Sequence, residues 1–247
     1  MSRIFDKAEP LDYARVRDFF TRRSSRISEL GLLSVTMYQD EDLARKRDAF
    51  EKDTVLPLLE LSATSRVLDI GCGTGRWGHE LGPKVAAYLG TDFCAAYVEA
   101  AQAQFDAAGF SANTHRFQQL AAQEVEATSL AIGPPFDLVI IAGLMPFLND
   151  EDVRSLLTRL PALCGKNSIV YIREPVGLEK RLTLKEHFSE ELNEYYHAIY
   201  RTASEYELFF KETLDTFTLT RSSLLFPDEL CNRKETAQHI FVLRERG

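Results

Sequence analysis

From Arg66 onward, short apolar runs alternate with stretches of helical spacing. Seven runs have the length and composition of strands: RVLDIG from Arg66, AAYLGTD from Ala86, NTHRFQQ from Asn113, FDLVIIAG from Phe136, NSIVYIRE from Asn167, DTFTLTRSSLLF from Asp215 and TAQHIFVLRER from Thr236. Between them, Arg76 to Leu81, Cys94 to Ala108, Asp150 to Leu163 and Leu184 to Glu212 read as helices. A strand covered on both faces by crossover helices is apolar along its length, so the pattern predicts an α/β chain with a Rossmann-like, doubly wound, mostly parallel sheet. Only PDELCNRKE separates the last two runs, which predicts an antiparallel terminal strand in a sheet of seven.

Two segments carry a helical period of their own. Leu192, Tyr196, Ile199, Ala203, Tyr206 and Phe210 recur at three- and four-residue steps, which predicts that Glu190 to Phe210 is one helix burying an aromatic stripe. Near the N-terminus, Tyr13, Val16 and Phe20 follow Pro10 at helical spacing, predicting a helix to about Leu30. A second helix is expected after Asp40, kinked or restarted at Pro57. No repeat, low-complexity tract or Pro/Gly/Ser linker intervenes, so residues 1–60 are expected to form a helical cap in one structural unit with residues 61–247.

Composition narrows the function. Lys and Arg number 29 against 37 Asp and Glu, a net charge of −8, so no basic field exists to hold a phosphate backbone and nucleic acid is not an expected partner. The longest mostly apolar stretch, Leu138 to Leu148, is far shorter than the ~20 residues that span a bilayer. MSRIFDKAEP has no apolar signal core, and the expectation is a soluble, cytoplasmic protein with no membrane partner. Cys72, Cys94, Cys164 and Cys231 are scattered without ligand spacing, which predicts neither a zinc site nor a disulfide framework. His79-Glu80 begins like a metalloprotease box, but Pro83 stands where its second histidine belongs, so no metal is expected. Hydrolase GxSxG and phosphate-loop GxxxxGK motifs are missing.

The informative stretch is VLDIGCGTGRWG, Val67 to Gly78, at the end of the first sheet strand. Its glycines permit positive φ and let backbone amides approach a ligand, and the loop feeds a helix at the ligand-binding edge of such a sheet. Gly73, Gly75 and Gly78 also satisfy the GxGxxG expression of dinucleotide enzymes. Asp69 argues against that reading, because a carboxylate there repels a pyrophosphate and attracts a cationic amino or sulfonium group. Asp92, closing the second strand in GTDF, stands where a carboxylate accepts from both ribose hydroxyls of an adenosine.

VLDIGCGTGRWG followed by GTDF and FDLVIIAGL resembles the class I S-adenosylmethionine-dependent methyltransferases, from about Thr64 to Glu174 and more loosely through the terminal strands. The resemblance implies S-adenosylmethionine as cofactor, with Asp69 and the backbone of Gly71, Cys72 and Gly73 around its methionine part. It implies Asp92 on the ribose, Phe93 on the adenine, and further contacts from Arg76, Trp77, Ala142 and Gly143. After the third strand the family often has an acidic residue for the adenine amino group. This chain has Gln119, Leu120 and Ala121 there, leaving backbone groups of Leu120 and Ala121 to read the adenine edge. The (D/N)PPY box of nucleobase and glutamine-amide methyltransferases is missing after the fourth strand, and GPPF at Gly133 is a turn before it.

Methyl transfer from a sulfonium is an in-line displacement, so the protein supplies alignment and excludes water, and a base is needed only for a protonated acceptor. Candidate catalytic residues are Arg173 and Glu174 at the end of the fifth strand, Tyr196, His197 and Tyr200 in the aromatic segment, and Tyr38 between the N-terminal helices. In similar methyltransferases such helices lie over the cofactor, so Arg45, Lys46 and Arg47 could meet its carboxylate. They could equally form a solvated face with the pairs Glu41 to Arg45 and Asp42 to Lys46. The reading is a methyltransferase acting on an N or O atom of a small molecule, with specialised metabolism one setting. The alternatives are a protein or peptide acceptor, a non-catalytic adenosyl-ligand-binding protein and, last, a dinucleotide oxidoreductase. The sequence leaves the oligomeric state open, a homodimer included.

Overall fold

The computed structural model describes residues 3–246. Its elements run β1 (Arg3–Phe5), α1 (Tyr13–Ser24), α2 (Ile27–Leu30), α3 (Glu41–Val55), β2 (Arg66–Ile70), α4 (Arg76–Leu81), β3 (Ala87–Asp92), α5 (Ala95–Ala107), β4 (His115–Gln119) and β5 (Phe136–Ala142). They continue with α6 (Asp150–Arg159), β6 (Cys164–Gly177), β7 (Leu182–Ser189), β8 (Glu194–Tyr200), α7 (Ala203–Thr213), β9 (Phe217–Leu224) and β10 (Thr236–Glu245).

The expected seven-stranded sheet is present in the order β4-β3-β2-β5-β6-β10-β9, parallel from β4 to β6, with β10 antiparallel to both β6 and β9. Alternate residues of each strand supply two separate cores. Leu68, Ile70, Val139, Ile141, Val170 and Ile172 pack beneath α6 and α7, while Val67, Leu138, Ile140, Ile169 and Tyr171 pack beneath Trp77, Phe105 and the end of α3. Both faces being covered explains why these strands read as apolar runs.

The aromatic segment corrects the sequence reading, for Leu184 to Glu212 is not one helix. It forms the hairpin β7–β8, which with β1 makes a second, three-stranded antiparallel sheet, followed by the shorter α7. A spacing of four places residues on one face of a helix and also on one face of a strand, so Tyr196 and Tyr200 fit both periods. Ile199 breaks the strand version and lies on the opposite face. Asn193 at φ +52° turns the hairpin, and Thr202 with Glu205 forms a capping box that starts α7.

At the N-terminus the helix stops at Ser24 and resumes as α2, and Asp12 rather than Pro10 sets its start by accepting from the Ala14 amide. Asp40 caps α3 through the Leu43 amide, and a short 3₁₀ turn at Leu56–Leu58 holds Pro57. Phe19 and Phe20 of α1 pack with Tyr97, Leu184, Tyr196 and Tyr200 in a third core, which seats α1 and the hairpin beside the carboxyl ends of the parallel strands. Among the described residues no helix is long and apolar enough to cross a membrane.

Candidate functional site

A cavity of about 250 Å³ opens at the carboxyl ends of β2, β3, β5 and β6, beneath residues 32–38 and α3. Its inner end is the glycine loop. Gly71, Gly73 and Gly75 have φ of +76°, +53° and +82°, conformations that side-chain-bearing residues rarely adopt. A Cβ on Gly75 would stand 2.8 Å from the Phe117 ring, so this turn requires glycine on both grounds.

Two buried carboxylates flank the loop. Asp69 accepts from the Tyr88 hydroxyl (2.5 Å), and among the described residues no donor meets its other oxygen, although it lines the cavity. Burial pushes its carboxyl up to about 7 despite the Tyr88 hydrogen bond and the Arg76 charge. Asp92 accepts from the amides of Gly73 (3.0 Å) and Cys94 (2.8 Å), tying the loop to the start of α5, and burial raises it to about 6.

Behind the loop lies an ionic network that links the N-terminal helices to the sheet. Glu51 of α3, 3% exposed, meets Arg76 (2.9 Å), Arg173 (3.3 Å) and the Tyr171 hydroxyl (2.7 Å), and Arg76 also pairs with Asp48 (2.8 Å). Burial alone would raise the Glu51 carboxyl, but the charges of Arg173 and Arg76 with the Tyr171 hydrogen bond outweigh it and hold it at about 2. Sequence reasoning missed Glu51 and Asp48. A signal existed, since the buried positions of α3 are Ala44, Arg47, Glu51 and Val55, which places two charges on a stripe that packing alone would fill with apolar groups.

Asp69, Gly71, Cys72, Gly73, Arg76, Trp77, Asp92, Phe93, Leu120, Ala142 and Gly143 all line this one cavity. Ala121 does not, and its neighbour Ala122 does. The Leu120 amide donates to the Asp92 carbonyl (2.9 Å) and the Ala121 amide to Glu124 (3.2 Å), so neither is free to read an adenine edge.

The same cavity is also lined by Tyr38, Arg173, Tyr196 and Tyr200. Tyr196 and Tyr200 share a face of β8, with hydroxyls 3.5 Å apart, and burial raises both phenols above their ordinary value. His197 points to the other face and accepts from the Glu186 amide (3.3 Å), while Tyr195 is exposed. Glu174, alternating with Arg173 along β6, also lies outside the cavity. Its Oε1 accepts from the amides of Leu144 (3.1 Å) and Met145 (3.0 Å), and burial pushes its carboxyl up to about 7. Arg45 and Lys46 form the i,i+4 pairs with Glu41 and Asp42, and only Arg47 of that basic run reaches the cavity.

The segment that contains the glycine loop and both carboxylates lies within a match to a known family. Residues 67–166 fit the family model described as a methyltransferase domain. Phosphoethanolamine N-methyltransferase 1 of Triticum aestivum is 23% identical over 179 residues, 71% of this chain and 34% of the wheat protein. The phosphoethanolamine N-methyltransferase 1 of Haemonchus contortus, solved with phosphoethanolamine and S-adenosylhomocysteine, superposes with a TM-score of 0.70 at 20% identity, over 96% of this chain and 50% of that one. Magnesium protoporphyrin IX methyltransferase of Synechocystis PCC 6803, solved with S-adenosylmethionine, gives 0.61 at 16% identity, over 97% and 99%. The chain thus spans about a third of the wheat protein and half of the nematode one. S-adenosylmethionine is the cofactor of such a domain, and a cradle of positive-φ glycines between two carboxylates suits a cationic adenosyl ligand. Residues 67–166 thus match a methyltransferase domain, and the chain as a whole has the fold of solved S-adenosylmethionine-dependent methyltransferases.

Proposed function

We propose that the protein transfers a methyl group from S-adenosylmethionine to an N or O atom of a small-molecule acceptor. The observation that carries this reading is that one cavity is lined both by the glycine loop, Asp69 and Asp92 and by Tyr38, Arg173, Tyr196 and Tyr200. It is a concave cavity covered by residues 32–38 and α3, the shape of a small-molecule site. The acceptors named for the wheat, nematode and cyanobacterial proteins are small molecules as well, which supports the same class here.

In this reading the loop backbone of Gly71, Cys72 and Gly73 cradles the methionine part, Asp69 faces its cationic groups, Asp92 accepts from the ribose and Phe93 covers the adenine. Arg76, Trp77, Leu120, Ala142 and Gly143 complete that wall. The cofactor supplies an electrophilic methyl on sulfonium. The chain's own residues bind it, align the acceptor and keep water out. Tyr196 and Tyr200, their phenols raised by burial, serve as neutral hydroxyls that orient the acceptor rather than as bases. The Glu51 network makes the N-terminal helices and the sheet one working unit, and the free cysteines fit a cytoplasmic setting.

The test is incubation of the purified protein with methyl-labelled S-adenosylmethionine and a fractionated metabolite extract. Label is expected in a small-molecule fraction. Label confined to protein would favour a polypeptide acceptor, and cofactor binding without transfer would favour a sensor or partner subunit.

A further inference from the structure

We infer that the acceptor carries an oxyanion group, a phosphate or a carboxylate, which Arg47 holds on the side of the cavity where the β9–β10 connection lies. This rests on the small-molecule reading above.

Arg47 is 8% exposed and lines the cavity, yet every partner it has is neutral. Its Nε (2.7 Å) and Nη2 donate to the Leu230 carbonyl, and Nη2 also donates to Asn232 Oδ1 (2.9 Å). Its guanidinium stacks 4.8 Å from the centre of the Tyr38 ring and 5.2 Å from that of Phe226. The other arginines of the cavity wall each have a carboxylate: Arg76 has Asp48 and Glu51, Arg173 has Glu51, and Arg233 has Glu191. Among the described residues none lies within ion-pair distance of Arg47, and none accepts from its Nη1.

A cation that is buried without a counter-charge is costly, and the aromatic faces and carbonyls offset only part of that cost. Here the unpaired guanidinium faces the cavity. A guanidinium edge presents parallel donors that match a phosphate or carboxylate, which identifies the class of group that fits.

The position favours the acceptor over the cofactor. Leu230 and Asn232 belong to the connection between β9 and β10, and β10 is the third strand over from β2, so Arg47 turns toward the β10 side of the cavity while its neighbour Asp48 faces Arg76 on the glycine-loop side. The same connection brings Arg233, which reaches the Met37 carbonyl (3.4 Å), toward the cavity wall. Nearby, Tyr196 and Tyr200 share a single hydrogen bond between two hydroxyls, so one hydroxyl proton remains for a bound oxygen.

The experiment is calorimetric titration of the S-adenosylhomocysteine-loaded protein. One arm uses inorganic phosphate and phosphoethanolamine, the other acetate and glycine, each on wild type, Arg47→Gln and Arg47→Lys. We expect saturable binding in one arm, which identifies the oxyanion. In Arg47→Gln it should weaken more than about tenfold, with a smaller loss in Arg47→Lys, while S-adenosylhomocysteine affinity stays within about twofold. Should the glutamine variant not fold, the lysine variant carries the comparison, since it keeps the charge and loses the planar fork. The inference is overturned if neither arm binds wild type saturably, if the variants bind the anion as wild type does, or if S-adenosylhomocysteine affinity falls by the same factor. That last result would assign Arg47 to the cofactor carboxylate. Failure of S-adenosylhomocysteine to bind wild type would instead count against the methyltransferase reading, and the anion titrations on the unloaded protein would still decide the role of Arg47.

Discussion

Replacing Asp92 by alanine separates two jobs that the structure gives to one carboxylate. Both oxygens already accept from backbone amides, Gly73 at 3.0 Å and Cys94 at 2.8 Å, and each keeps a second lone pair toward the cavity. In the proposed site those lone pairs accept from the two ribose hydroxyls, each bond to an ionised acceptor contributing about 1.5 kcal/mol or more. Loss of both predicts about 3 kcal/mol weaker binding, or more than about a hundredfold in Kd. Alanine also strips Gly73 and Cys94 of their acceptor. An unmet buried amide costs about 1–3 kcal/mol, toward the lower end here because the cavity admits water, so stability should fall by about 2 kcal/mol. For a chain of this length that lowers Tm by roughly 4–8 °C. Calorimetric titration with S-adenosylhomocysteine and scanning calorimetry read the two effects separately. A variant that melts early yet binds the ligand within about twofold of wild type would show that Asp92 only ties down the loop.

Glu51→Gln removes the carboxylate that faces Arg173 and Arg76. A buried carboxyl held at about 2 against an ordinary 4.5 corresponds to about 3 kcal/mol, matching the usual cost of breaking a buried ionic network. Because the folded value is the lower one, this contribution is complete above pH 4.5 and disappears as pH falls through about 2. Urea melts at neutral pH should show the full difference between wild type and variant, and an unchanged midpoint would refute the role given to the network. Asp69 and Asp92, raised by burial to about 7 and about 6, should ionise more readily once a cationic adenosyl ligand is bound. Affinity for S-adenosylmethionine should therefore rise by roughly tenfold or more from about pH 5 to about pH 8, with proton release in the lower part of that range. Flat affinity and no buffer-dependent binding heat would contradict it.

The parallel sheet was legible because its strands are buried on both faces and its helices carry a separate period. The glycine loop was legible for a local reason, as its residue types are dictated by backbone conformation. The hairpin β7–β8 was not, because Leu192, Tyr196 and Tyr200 are four apart and four serves both periods. The better clue was Thr202-Ala-Ser-Glu205, a helix-start signature in the middle of the supposed helix. Arg173 and Glu174 could not be told apart without knowing the face, since adjacent strand residues point opposite ways. Glu51 and Arg47 act through partners in β6 and in the β9–β10 connection; two charges on one stripe of α3 mark them as unusual, but that local pattern does not name partners so distant in sequence.

Whether the glycine loop between Asp69 and Asp92 holds an adenosyl cofactor is decided by titrating the purified protein with S-adenosylhomocysteine and, separately, with NAD. Saturable binding of S-adenosylhomocysteine at one equivalent is expected, with no response to NAD. Binding of NAD with no response to S-adenosylhomocysteine would contradict it.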